Sequence, residues 1–160
     1  LGSLTATSDA VKLARKIGRD ARSALNKLQR ATGSDAMHKS FMPAWKYAAR
    51  ETAHKADQWL FLWEVARLVR VDRGSAEKLA AAGAEVLDEL RRCQRELKRA
   101  IGPSLTANGF EEEEEVRFGH EARLIRRLVK VLRTKARRSE IRAQLADILG
   151  IQLPQAAAAK

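Results

Sequence analysis

The chain has a single cysteine, Cys93, so no internal disulfide can form. A reducing compartment, cytoplasm or nucleus, is the expected setting. Proline occurs three times and glycine nine times in 160 residues, which leaves few points where a helix must stop. No apolar run approaches the ~20 residues needed to cross a bilayer. The longest, Trp59 to Val65, already contains Glu64. A secretory leader pattern is missing, and so is the alternation of apolar and polar residues that marks a strand.

The motifs of common chemistry are missing as well. The three histidines, His38, His54 and His120, share no HExxH spacing, and one cysteine cannot form a thiolate cluster. No GxxxxGK[ST], GxGxxG or GxSxG occurs, so no metal, nucleotide cofactor or nucleophile elbow is expected. Arg50-Glu51-Thr52-Ala53-His54 sets an arginine and a histidine on one helix face. It resembles the Arg…His ribonuclease motif of helical nucleotidyltransferase-associated bundles, which use a wider separation than the three residues found here. The resemblance covers five residues and assigns no activity, and the chain reads as a non-catalytic module.

What the chain has in quantity is helix former and positive charge. Hydrophobic residues make up 45% and charged residues 32%, enough for one packed domain. The net charge of +11 directs attention to polyanionic partners. Leu1-Gly2-Ser3 reads as a cloning remnant, residues 4–150 as one domain, and residues 151–160 as a tail or linker.

Five helices follow from the periodicity, at about 8–32, 40–71, 75–101, 111–138 and 140–149. In the first, Ser8 is the expected cap. Ala10, Ala14, Ile17, Ala21, Ala24 and Leu28 recur in steps of four and three, and Gly33 is the expected stop. Lys12, Arg15, Lys16, Arg19, Arg22, Lys27 and Arg30 face the other way, relieved by Asp20. The second starts at Ser40, placing Pro43 in a first turn that has no intrahelical N–H bond to lose. Its centre, Trp59 to Trp63, is apolar all round. Core packing is the expected role of Trp45, Trp59 and Trp63, with an exposed hot spot at Trp59 and Trp63 as the alternative.

In the third helix Ser75 is the cap, and Cys93 falls on the apolar seam between Leu90 and Leu97 as an inert thiol. The fourth begins at Glu111–Glu115, where acidic side chains meet the positive end of the helix dipole. A sharper reading has those glutamates covering the neighbouring basic face or holding a partner's basic segment. Phe118, Ala122, Ile125, Val129, Leu132 and Ala136 form its apolar side, and Arg123, Arg126, Arg127, Lys130, Arg133, Arg137 and Arg138 the opposite one. The phase fails beyond Ala136, so a break with Ser139 as a new cap is expected, and Gly150 ends the last helix with Pro154 beyond.

Short connections between long helices imply an all-α antiparallel four-helix up-down bundle with a short fifth C-terminal helix. In that order the first and fourth helices are neighbours, which would join their basic stripes. Twelve residues form the expected polyanion site: Lys12, Arg15, Lys16, Arg19 and Arg22, with Arg123, Arg126, Arg127, Lys130, Arg133, Arg137 and Arg138. Nucleic acid is the favoured ligand. An acidic or amphipathic protein helix and an anionic lipid surface are the competing partners, and the sequence is compatible with an oligomer.

Overall fold

The computed structural model describes residues 8–31, 35–104 and 107–153. The expected cloning remnant, the Gly33 stop and most of the expected tail, with Pro154, lie outside the described residues. Every regular element described is helical: α1 (Ser8–Arg30), α2 (Ala36–Val71), α3 (Ala76–Ile101), α4 (Ala107–Glu114), α5 (His120–Leu132) and α6 (Arg138–Leu149). A 3₁₀ turn at Gly102–Ser104 follows α3, and a π turn at Glu115–Gly119 joins α4 to α5. None of these helices is long and apolar enough to cross a membrane.

α3 starts as its sequence implies, with Ser75 Oγ accepting from the Lys78 N–H at 3.3 Å. Gly150, at φ +63°, closes α6 in the left-handed conformation that glycine adopts without a Cβ penalty. Other boundaries move. α2 begins at Ala36, so Pro43 sits well past the first turn and the helix forgoes one N–H bond there. The fourth helix begins at Ala107, so Glu111–Glu115 lie beyond its first turn, and dipole matching no longer explains them. α5 stops at Leu132, short of the expected Arg138. Arg137, not Ser139, occupies the cap position of α6, without a side-chain cap bond.

The main core gathers α2, α3, α5 and α6 around Phe61, Val65, Leu68, Val69, Val86, Ile125, Leu128 and Leu145. A smaller cluster of Tyr47, Leu90, Cys93, Leu97, Phe118 and Ala122 extends it between α2, α3 and α5. Burial pushes the Cys93 thiol up to about 12, which makes it the inert thiol expected. α1 packs along α2, with Gly18 set against Ala56. α5 packs on α3 and α6. The expected side-by-side placement of the first and fourth helices does not appear among the main helix contacts of the described residues: α1 packs chiefly on α2, and α5 chiefly on α3 and α6.

The tryptophans divide as well. Trp59 and Trp63 are half-buried, whereas Trp45 is 51% exposed and stacked on Phe41 with ring centroids 6.4 Å apart, contrary to the core role expected of it. The Arg67 guanidinium lies 5.1 Å from the Trp63 ring centroid and shields that ring.

α6 is fastened by arginine. Arg138 donates from Nε to Asp72 Oδ1 at 2.6 Å and from Nη2 to the carbonyls of Asp72 (2.9 Å) and Gly74 (3.1 Å). Arg142 donates to the Val69 carbonyl at 2.8 Å. These acceptors lie at the C-terminal end of α2, where carbonyls lack intrahelical partners and cations are favoured. The same hydrogen bond from Arg138 holds the Asp72 carboxyl below its usual range.

A Cβ on Gly83 would come within 2.5 Å of Val129 and 2.9 Å of the Phe61 ring, neither of which is a flexible chain end. Alanine in a helix interior normally gains about 1 kcal/mol over glycine. At Gly83 we expect Gly83→Ala to destabilise by about 1–3 kcal/mol through overpacking, measured by urea denaturation. A variant as stable as the parent would refute that close approach.

Candidate polyanion-binding surface

α5 presents its buried side, Ala122, Ile125, Leu128, Val129 and Leu132, to the core. The steps of three and four between those residues turn Arg123, Arg126, Arg127, Lys130 and Arg133 outward, and all five are exposed. From His120 to Arg138 there are eight basic residues and one acidic one, so this segment holds far more than its share of the net charge. Arg126, Lys130 and Arg133 stand at i, i+4 and i+7, a row of about 10 Å at 1.5 Å per residue.

Ion pairing reduces the twelve expected residues to a smaller set. On α1, Lys12 lies 3.5 Å from Asp9, and Arg22 donates to Asp57 of α2 at 2.6 Å. Arg138 is engaged at the end of α2, and Arg123 pairs with Glu115. Among the described residues, no ion pair engages Arg15, Lys16 or Arg19 on α1, nor Arg126, Arg127, Lys130, Arg133 or Arg137 at the other flank. At that flank four of the unpaired cations, Arg126, Arg127, Lys130 and Arg133, fall within eight consecutive positions of α5 and its C-terminal cap.

The glutamate run has acquired a different role from the dipole-matched start expected of it. Glu115 folds back over Gly119 to reach Arg123, eight residues on, and Glu113 pairs with Arg117. A Cβ at Gly119 would collide with the Glu115 carboxylate, so glycine leaves the path open. The π turn supports this geometry, since its wider turn offsets the faces before and after it. Glutamate cover of the basic face, the sharper of the two expectations, therefore holds for Glu115 and Arg123.

The Arg…His pair lies inside the molecule. His54 is fully buried, and neither ring nitrogen has a hydrogen-bond partner among the described residues. Arg50 donates to Glu89 Oε1 at 2.6 Å, and its Nε lies 4.0 Å from Glu96, near enough for charge attraction but too far for a hydrogen bond. Gln58 Oε1 and Glu121 Oε2 are also buried without partners, while the other Glu121 oxygen accepts from Lys55. Among the described residues, no group of three or more His, Cys, Asp or Glu could hold a metal. A cleft of about 860 Å³ lies between α1, α2 and α3. Its charges are mostly matched internally, as in Arg22–Asp57 and Arg50–Glu89.

Sequence reasoning missed this buried polar layer, because His54 and Gln58 lie between residues of ordinary helix composition. Their spacing of four, in phase with Tyr47 and Phe61, was the available signal. Comparison with protein-family models, with curated proteins and with solved structures gives no match.

Burial, opposed by the carboxylates of Glu121, Glu89 and Asp57 and reinforced by Lys55, holds His54 below its ordinary 6.5. The unfolded chain then takes up a proton before the folded one does. The His54 contribution is fully present above pH 6.5 and is lost as pH falls, by up to about 1.4 kcal/mol per unit until the folded imidazole also protonates. Denaturation midpoints of the parent and His54→Leu, compared between neutral and mildly acid pH, should show a shallower acid loss in the variant. Parallel curves would show that His54 does not contribute.

Proposed function

We propose that this chain is a non-catalytic helical module that docks a polyanion, nucleic acid foremost, through the outer face of α5. The reading is carried by the exposed row of Arg126, Arg127, Lys130 and Arg133, none of them ion-paired among the described residues, on a helix whose other side is anchored in the core. Guanidinium groups pair with phosphate through two parallel hydrogen bonds, which suits arginine better than lysine to this role. The exposed aromatic pair, Phe41 and Trp45, lies near the start of α2 and not among these cations. Phosphate contact without base stacking is therefore the expected mode, with little sequence preference and a steep dependence on salt. The cytoplasm or the nucleus is where such a ligand would be met.

In this reading the helix order is that of an up-down bundle in which α1 packs mainly on α2. The α1 cations Arg15, Lys16 and Arg19 then form a secondary surface. A second reading, a protein-interaction module, is favoured by the exposed Phe41–Trp45 stack, a residue pairing typical of interface anchors.

Fluorescence anisotropy with labelled duplex DNA separates these possibilities. Charge reversal in Arg126→Glu/Lys130→Glu/Arg133→Glu should weaken low-salt binding by at least about a hundredfold and reduce the log–log salt slope by about three. Lys16→Glu/Arg19→Glu should weaken it less. Undiminished binding by the triple variant would sink the proposal, whereas partner capture lost on Trp45→Ala alone would support the second reading. Separately, Glu115→Gln should tighten DNA binding several-fold by releasing Arg123, at the strength expected of exposed charge pairs. An unchanged affinity would show that Glu115 does not compete with the ligand.

A further inference from the structure

Part of the apolar stripe of α1 is left uncovered. Val11, Gly18, Ala21 and Leu25 are buried, but Leu13 is 57% exposed and Ile17 41%, and Ala24 is exposed too. At about 100° per residue, these three fall on one side of the buried line. Beside them a shallow groove of about 430 Å³ runs between α1 and α2, with Ala14 and Ile17 on one wall and Ala56 and Trp59 on the other. Apolar surface of this kind on a strongly charged molecule calls for a partner.

The charges along its edge indicate which one. Asp9, Lys16, Asp20 and Lys27 lie within about 40° of one another, next to the Leu13–Ile17–Ala24 line. Elsewhere the polar side of α1 is almost wholly basic, and an acidic helix would be met best by a basic edge. This edge alternates in sign, and its order is self-complementary. Asp9 and Lys27 lie nine residues either side of Gly18, and Lys16 and Asp20 lie two either side. When two copies of α1 run antiparallel about a two-fold axis at the level of Gly18, Asp9 of one faces Lys27 of the other, and Lys16 faces Asp20. Each pair occurs twice, which is what an isologous interface requires. Among the described residues neither Lys16 nor Asp20 has an ion-pair partner, and Asp9 has only an exposed contact with Lys12.

We propose that this edge of α1 is a docking surface for a second copy of the same chain, which pairs α1 with α1 antiparallel and covers Leu13, Ile17, Ala24 and the Trp59 groove. Asp9 to Lys27 spans about 27 Å at 1.5 Å per residue, so the contact runs most of the length of α1. The repulsion between two chains of +11 is long-ranged and is screened beyond about 8 Å at physiological salt. The local pairs then set the register. The α5 face lies on a different helix, so the dimer and the principal polyanion face can fail independently; Lys16 alone belongs both to this edge and to the secondary α1 surface.

Sedimentation equilibrium of the intact chain across a roughly hundredfold concentration range reads the association directly. The parent should approach twice its monomer mass, and Ile17→Asp should remain monomeric with unchanged helical circular dichroism. Lys16→Glu and Asp20→Lys should each weaken dimerisation by about tenfold, because each places like charges opposite one another twice. The double variant Lys16→Glu/Asp20→Lys should recover it. A parent that stays monomeric throughout, or a double variant as weak as the singles, would overturn the proposal. The double variant also keeps the test valid should Ile17→Asp disturb folding.

Discussion

The close approach at Gly83 fixes the rest of the molecule. Because that position has no side chain, Phe61 of α2 and Val129 of α5 both press against the backbone of α3. Three helices are thereby locked at one level, and the apolar sides of α2 and α5 face the common centre. The outward direction of α5 follows from this, and with it the exposure of Arg126, Lys130 and Arg133. Apolar packing on the opposite side of the same helix holds that basic face in a fixed direction.

Around that centre, charge is arranged in two ways. Where arginine meets the end of a helix or a carboxylate on a neighbour, it acts as a fastener, as Arg138 and Arg142 do at α2 and Arg22 does with Asp57. At Arg126 and Arg127 of α5, by contrast, no ion pair engages it among the described residues. Residue type does not distinguish these cases. Arg137 and Arg138 are adjacent, yet the first is exposed with no ion-pair partner among the described residues and the second is bound to Asp72 and Gly74.

The all-helical class, the third helix with its Ser75 cap, the buried Cys93 and the Gly150 stop were legible in the sequence, because each depends on neighbours within a few positions. So was the outward basic face of α5, since the period of 3.6 residues is local. The neighbours of α1 were not legible, because helix order alone does not say whether a fourth helix closes back on the first. Nor was the start of α2, where Pro43 looked like a first-turn residue but the helix begins at Ala36. The Glu115–Arg123 pair escaped for another reason: a separation of eight lies off the usual side-chain pairings, and only the π turn and Gly119 bring the two together.

Cys93, noted above only as inert, makes the fold a clock. Its thiol is fully enclosed beside Leu90 and Leu97 and is held protonated, so a thiol reagent in solvent reacts with it only after the seam between α2, α3 and α5 has parted. With no second cysteine in the chain, every labelling event counts one such opening. The rate of labelling then measures the population of the opened molecule when reclosing is fast, and the opening rate itself when the reagent outpaces reclosing.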